Sequence, residues 1–279
     1  MERHHSPHLV ETEWLADRLA DPQVCVVEVD WDPADGYEQG HIPGALCWRW
    51  KEDLWHPTDR DFLEGEALRR FMGRSGVGPD TTVVLYGDST RFATYALFFL
   101  QLRGHADARI LHGGRTKWIA EGRPLTRDVP SPQVVDYRAG PPDPEIRASW
   151  EDILAGLGDQ GRLLLDVRLA EEYRGERVAP PGMRDHGAER AGRIPGAVHL
   201  PWNELVLGDD TFLSPPDLRA RFEAVGAAPD RNIIVYCRMS HRASLVWFVL
   251  KHLLGYPRVR SYDGSWTEWG SMVGMPIER

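Results

Sequence analysis

The chain has 279 residues, 42% of them hydrophobic, which is enough for one large core or two ordinary ones; domain-size statistics favour two. A net charge of −9 argues against nonspecific nucleic-acid binding, so an anionic ligand has to be drawn in by local cations rather than by the field of the whole molecule. Only Lys51, Lys117 and Lys251 are lysines among 33 basic residues, and the remaining positive charge is guanidinium, suited to forked contacts with oxyanions.

Read from the N-terminus, Met1 to His8 is polar with no apolar signal core, and no later window approaches a membrane-spanning length. His4, His5 and His8 read as a polar terminus rather than as metal ligands. The spacing then predicts a strand over Val24 to Val29, a helix over Glu66 to Arg74, a strand over Thr82 to Tyr86 and a helix from Phe92 to Arg103 stopped by Gly104. Thr126 to Pro144 holds five prolines and no sustained apolar period, the composition of a linker. Beyond it the same alternation returns: Leu163 to Val167, Pro216 to Val225, Ile233 to Tyr236, and Ala243 to Leu254 stopped by Gly255. Short apolar strands alternating with amphipathic helices predict an α/β fold with a mostly parallel sheet flanked by helices in each half. The expected division is a domain over 1–127, a linker over 128–145 and a second domain over 146–279.

The two halves are imperfect copies. Glu28-Val29-Asp30 matches Asp166-Val167-Arg168 at an offset of 138, and Gly40-His41-Ile42-Pro43-Gly44-Ala45 matches Gly192-Arg193-Ile194-Pro195-Gly196-Ala197 at 152. The second copy therefore carries 14 extra residues within Arg174 to Ala191. Later, Val84 to Gly87 matches Ile234 to Cys237, and Leu111 to Trp118 matches Tyr262 to Trp269.

The copies differ where chemistry would sit. Cys237 follows the predicted strand Ile233 to Tyr236 and is followed at once by Arg238-Met239-Ser240-His241-Arg242 and a helix; the first copy has Gly87 at that position. A strand, a short turn and a helix start bring backbone N–H groups and the positive end of a helix dipole to the sulfur, an arrangement that stabilises a thiolate. An isolated cysteine is ordinarily a core residue, but two arginines beside it are hard to reconcile with an apolar pocket. The expected partner is an anion with an electrophilic sulfur or phosphorus. Cys25 and Cys47 share neither metal-ligand spacing nor a disulfide framework with Cys237, which fits a reducing, cytoplasmic setting. Asp166, at the end of a predicted strand, is expected to orient Arg238 or Arg242, or to cap the turn that follows it. Trp202, Trp266 and Trp269 read as core by default, His41 and Arg193 as fold-holding, Cys25 as core and Cys47 as ambiguous.

The paired Gly-His-Ile-Pro-Gly-Ala and Gly-Arg-Ile-Pro-Gly-Ala segments, the Cys237 to Arg242 loop, and the endings Gly113 to Trp118 and Asp263 to Trp269 resemble the tandem-domain rhodaneses, which are thiosulfate sulfurtransferases. The resemblance runs over about residues 9 to 275. It implies two tandem rhodanese-like α/β domains, a first domain that has lost the cysteine, and a site in the second half facing the first. It also implies a double displacement. Cys237 takes the sulfane sulfur of thiosulfate as a persulfide, sulfite leaves, and cyanide, a small thiol or a thiol-bearing protein collects the sulfur, with no cofactor or metal, no nucleic acid and no membrane involved. Arg238 and the loop residues Met239, Ser240 and His241 would hold the anionic donor, and Arg242 would pair with oxyanion or carbonyl groups.

Loop length separates subtypes within this resemblance. Four residues lie between Cys237 and Arg242, as in rhodaneses, whereas the related cell-cycle phosphatases have five; that register would need arginine at Ala243. Mercaptopyruvate sulfurtransferases typically place glycine after the cysteine, where this chain has Arg238. They also use an arginine to grip the substrate carboxylate at the position of Glu172, which would repel it; Arg174 could substitute. Met239 departs from the lysine of animal thiosulfate enzymes. The resemblance thus implies thiosulfate as donor, with mercaptopyruvate as the enzymatic alternative. A persulfide carrier or regulatory module with little turnover is the alternative from another class.

Overall fold

The computed structural model describes residues 4–279; Met1 to Arg3 of the polar N-terminal stretch lie outside them. The chain forms two compact units. One comprises His5–Asp143 with Gly208–Phe212, and the other comprises Pro144–Leu207 and Leu213–Arg279 together with His4.

The first unit is built on five strands, β1 (Leu9–Val10), β2 (Val24–Asp30), β3 (Leu46–Arg49), β4 (Thr82–Tyr86) and β5 (Ala108–Leu111), paired in parallel in the order β1-β5-β4-β2-β3. Its helices are α1 (Thr12–Ala16), α2 (Gly65–Arg74), α3 (Thr90–Leu102) and α4 (Gly114–Ala120). The second unit repeats the plan with β6 (Arg147–Ala148), β7 (Arg162–Asp166), β8 (Val198–His199), β9 (Asn232–Tyr236) and β10 (Val259–Tyr262), all parallel in the order β6-β10-β9-β7-β8. Helices α5 (Trp150–Ala155), α6 (Ala170–Tyr173), α7 (Pro215–Ala224), α8 (His241–Phe248) and α9 (Ser265–Trp269) complete it. Central strands such as Val-Val-Leu-Tyr in β4 and Ile-Ile-Val-Tyr in β9 are buried along their length, as parallel strands covered by helices on both faces must be.

The duplication extends into the cores. Ile42, Ala45, Val84, Tyr86 and Trp118 cluster in the first unit; Ile194, Ala197, Ile234, Tyr236 and Trp269 hold the matching positions in the second. Each tryptophan donates its indole N–H to a carbonyl a few residues on, Trp118 to Pro124 and Trp269 to Pro276, both at 2.9 Å. Trp266 and Trp269 are thus core residues with satisfied indoles.

The helix expected to begin at Ala243 begins at His241 instead and gives way at Val249–Leu253 to a π-helical turn that ends before Gly255, whose φ is 73°. The proline-rich stretch is laid along the first unit: Val135 N–H donates to Gly73 at 3.1 Å, Gly140 N–H to Gly104 at 2.9 Å, and Tyr137 is buried against His105. Among the described residues, no helix is long and apolar enough to cross a membrane.

Candidate active site

Strand β9 is the middle strand of its sheet, and the chain leaves its end through Cys237 to Ser240 before α8 starts at His241. Cys237 is fully enclosed. The loop is clamped from one side by the start of α9. Cys237 N–H donates to Ser265 Oγ at 3.2 Å, and the Ser265 hydroxyl donates to the Tyr262 carbonyl at 2.8 Å. Trp266 N–H reaches the Cys237 carbonyl at 3.0 Å, while the Thr267 N–H and hydroxyl reach the Arg238 carbonyl at 3.1 and 2.7 Å. In a trans peptide the C=O and the N–H of the same unit point opposite ways. Anchoring those two carbonyls on α9 therefore turns the N–H groups of Arg238 and Met239 away from it. Among the described residues, these two and the N–H of Ser240 have no acceptor. Ser240 sits at φ 73°, unusual for a residue with a Cβ, and its buried hydroxyl has no partner. Successive unsatisfied N–H groups in a tight turn form an anion-binding concavity.

The two arginines of the loop have different fates. Arg242 is buried and forms a two-pronged ion pair with Glu172, Nη1 to Oε2 at 2.6 Å and Nη2 to Oε1 at 2.8 Å. Burial alone would depress this guanidinium, but the Glu172 contact outweighs it and raises its pKa. The expectation that Arg242 pairs with an oxyanion or carbonyl gives way to this arrangement, and Glu172 faces a cation instead of standing ready to repel a substrate carboxylate. Arg238 is also buried but makes no ion pair among the described residues. Its Nη1 donates to the His186 carbonyl at 2.9 Å and its Nη2 lies 3.7 Å from Met239 Sδ. Burial, reinforced by Arg242, lowers its pKa against the opposing influence of Glu172, Cys237 and Asp185. Met239 and His241 are buried on either side of Ser240.

Asp166 does not reach for Arg238 or Arg242. Its carboxylate accepts from Arg168 N–H at 3.0 Å, Arg168 Nε at 2.9 Å, Arg168 Nη2 at 2.6 Å and Tyr236 OH at 2.7 Å, and Tyr236 OH in turn accepts from Ile194 N–H. The first unit repeats this motif: Tyr86 OH donates to Glu28 at 2.5 Å and accepts from Ile42 N–H at 3.0 Å. The tyrosine, carboxylate and N–H part of this network persists in the copy without the cysteine and so holds the fold, while Arg168 is particular to the second copy; Asp166 caps its turn through Arg168 and makes no contact with Arg238 or Arg242, which corrects the orienting role expected of it. Arg174, expected as a supporting residue, is half-exposed and paired with Glu176 at 2.6 Å. His41 and Arg193 fasten equivalent turns: each backbone bridges to a later segment, and His41 stacks on Tyr37 while Arg193 lies over Tyr173. His4 and His8 hydrogen-bond to the carbonyls of Leu213 and Ala108.

At the matching place in the first unit, a Cβ at Gly87 would collide with the Val29 carbonyl, so the backbone has closed over the space a cysteine would need. The charges there are inverted, with Asp30 in place of Arg168 and Asp88 in place of Arg238. Glu28, Asp30 and Asp88 are, among the described residues, the group of carboxylates close enough to share a cation, and Arg115 already lies 3.0 Å from Glu28. Burial pushes the Cys25 thiol up to about 12 and, with nearby Asp30 and Glu28, does the same to Cys47. Neither is suited to act as a nucleophile.

Sequence reasoning missed Glu172 as the partner of Arg242, Arg168 as the partner of Asp166, the Ser265 and Thr267 clamp, and the contact of His186 with Arg238. A signal existed for the clamp, since Ser265 and Thr267 fall in a closing segment already matched between the copies. Glu172 with Arg242 and His186 with Arg238 join residues far apart in sequence and left no local pattern, whereas Arg168 lies only two residues from Asp166 and its spacing did not say which carboxylate it would meet.

A family model described as a rhodanese-like domain matches residues 11–121 and again 149–272. The chain is similar to a protein of Thermus thermophilus named sulfur carrier protein TtuD, 48% identical over 279 residues and covering 99% of this chain and 98% of that one. It is also similar to a protein of Mycobacterium tuberculosis named "Putative thiosulfate sulfurtransferase SseA", 45% identical over 275 residues, 98% of this chain and 91% of that one. Among solved structures, the anaerobic ergothioneine biosynthesis enzyme of Chlorobium limicola, in complex with trimethyl histidine, superposes with a TM-score of 0.88 at 27% identity over all of this chain and 72% of that one. Two parallel five-stranded units, two matches to one family model and relatives aligned from end to end agree: the chain belongs to the rhodanese family and carries two rhodanese-like domains.

Proposed function

We propose that this protein is a thiosulfate sulfurtransferase in which Cys237 carries the transferred sulfur as a persulfide. The observation that supports the reading most is the charge imbalance at the loop. Among the described residues, Arg238 is buried next to Cys237 without an ion-paired carboxylate, beside three peptide N–H groups without acceptors. A buried cation lacking a counter-ion is costly until an anion arrives. A small dianionic sulfur donor meets that need.

In the first half-reaction the Cys237 thiolate attacks the sulfane sulfur of thiosulfate. The cysteine–sulfane S–S bond forms, the bond to the sulfonate sulfur breaks, and its electron pair leaves with sulfite. In the second, cyanide or a thiolate attacks the outer persulfide sulfur and Cys237 departs as thiolate, so sulfur is transferred with electrons balanced. Arg238 would face the sulfonate, and the N–H groups of Arg238, Met239 and Ser240 would hold the persulfide charge. Met239 and His241 would wall the loop, and Arg242 would keep its shape through Glu172. Three unpaired cysteines suit a reducing, cytoplasmic setting, which belongs to the same proposal.

A second reading, a sulfur carrier that hands its persulfide to a partner protein, is favoured by the similarity to the Thermus thermophilus sulfur carrier protein. One experiment separates the two. Intact mass is measured after thiosulfate and, in parallel, after 3-mercaptopyruvate, with Cys237→Ser as control and a cyanide chase. The proposal expects thiosulfate to add one sulfur that cyanide removes over many cycles and that the variant never gains. Loading without turnover supports the carrier. Loading by mercaptopyruvate alone refutes the choice of donor, and no loading refutes catalysis at Cys237.

A further inference from the structure

The 14 residues that the second copy adds between Arg174 and Ala191 have no counterpart in the first copy, and the structure shows what they touch. Asp185 closes the segment on itself: one carboxylate oxygen accepts from the N–H groups of Val178 at 2.7 Å and Ala179 at 2.9 Å, two residues that are themselves buried. At the other end, Arg190 donates to the carbonyls of Trp269, Gly270, Met272 and Met275 at 2.6 to 3.2 Å, and its own carbonyl accepts from the Trp266 indole. Between these two anchors the His186 carbonyl is aimed at Arg238 Nη1 at 2.9 Å. Gly187, at φ 111°, lets the backbone pass so close that a Cβ there would sit 3.4 Å from the same nitrogen. The segment therefore takes one N–H of the guanidinium with a neutral acceptor, and the Asp185 carboxylate acts on Arg238 only through its field, with no ion pair between them among the described residues. A carboxylate in the place of the His186 carbonyl would have neutralised the guanidinium.

We propose that this insertion is a positioning element for Arg238, with Asp185 as the positioning residue that sets where the guanidinium meets the anionic donor. The inference rests on the thiosulfate reading for what Arg238 contacts. Asp185 touches no reacting atom. It acts by fixing the turn that carries the His186 carbonyl, so that Arg238 is held in place before the donor arrives and less order has to be imposed on binding.

The test separates donor binding from chemistry. Thiosulfate is titrated calorimetrically into Cys237→Ser protein, which cannot take up sulfur, and steady-state rates are measured with Cys237 intact. Asp185→Ala is expected to weaken thiosulfate binding by about tenfold and to raise KM by a similar factor with little change in kcat, the loss appropriate to one misplaced charge-assisted contact. Asp185→Asn keeps an acceptor oxygen for the two N–H groups and should recover most of the affinity. On an Arg238→Met background, Asp185→Ala should have no further effect, which a general loss of folding would not reproduce. Unchanged binding and KM in Asp185→Ala, or an equal loss on the Arg238→Met background, overturns the inference. If Cys237→Ser protein binds no thiosulfate, the donor-binding role of Arg238 falls and the inference with it. Binding without sulfur loading at Cys237 counts against the persulfide reading alone.

Discussion

Glu172 gives the most demanding prediction. Its side chain is fully buried and that of Arg242 is 3% exposed, with both hydrogen bonds at 2.8 Å or less. With charge centres about 4 Å apart and an effective permittivity of about 20, the attraction is about 4 kcal/mol. Replacing Glu172 with leucine leaves the guanidinium buried and unpaired, for which about 3–5 kcal/mol is the expected loss. Arg242→Met should cost a similar amount by stranding the carboxylate. The double variant Glu172→Leu with Arg242→Met removes both charges and fills the space, so it should recover most of the loss and give a coupling energy of at least about 2 kcal/mol. The assay is urea unfolding of all four proteins followed by circular dichroism, with sulfur loading measured on each. Stability and loading should part company in the double variant. It should be folded and stable, yet load poorly, because the end of the Cys237 loop is no longer tied to α6. Single variants within about 1 kcal/mol of the parent, or a double variant whose loss equals the sum of the singles, would refute the assignment of Glu172 as the counter-ion that shapes the loop.

Other consequences are as direct. Burial, with Glu28 and Asp88 nearby, pushes the Asp30 carboxyl up to about 8. The folded chain thus keeps a proton there that an unfolded chain releases near pH 4, and stability falls as pH rises from about 4 to about 8. Asp30→Asn should flatten that slope and leave the protein more stable than the parent at pH 8; parallel pH profiles of the melting temperature would count against it. Gly87→Ala should destabilise by about 1–3 kcal/mol because its Cβ meets the Val29 carbonyl, and Gly87→Cys should gain no sulfur from thiosulfate; a loaded second cysteine would disprove the closed backbone. Tyr86→Phe and Tyr236→Phe should each cost about 1–3 kcal/mol by orphaning the N–H of Ile42 or Ile194, with only Tyr236→Phe lowering sulfur loading; equal effects on loading would show that the two networks are not the local supports described.

Much of this protein was legible in its chain. The strands over Val24 to Val29, Thr82 to Tyr86 and Ile233 to Tyr236 fall within a residue of the observed ones, because a parallel strand buried on both faces must be a short run of branched apolar residues between polar or glycine stops. The duplication was visible as matched landmarks and reappears as two sheets with the same strand order. Cys237 at the junction of β9 and α8 was also visible, since a strand, a turn and a helix in immediate succession leave only one place for the intervening side chain.

Partner choice among the charged residues was not legible. Asp166, Glu172, Arg168 and Arg242 are all acids or arginines near strand ends, and composition and spacing alone do not say which carboxylate meets which guanidinium. The answer comes from the direction in which α6 leaves the sheet, which carries Glu172 to Arg242 and leaves Asp166 to Arg168. The same holds for the added residues between Arg174 and Ala191. Counting revealed that they exist, but only packing could deliver the His186 carbonyl to Arg238, 52 residues away along the chain. Local periodicity and turn chemistry are properties of neighbouring residues and so are written in the sequence, which determined the two-fold α/β plan and the position of the sulfur. Ion pairs and hydrogen bonds depend on distances that exist only once the sheet has brought remote segments together, and the tertiary structure alone decided that one arginine of the loop is paired with a carboxylate and the other, among the described residues, is not.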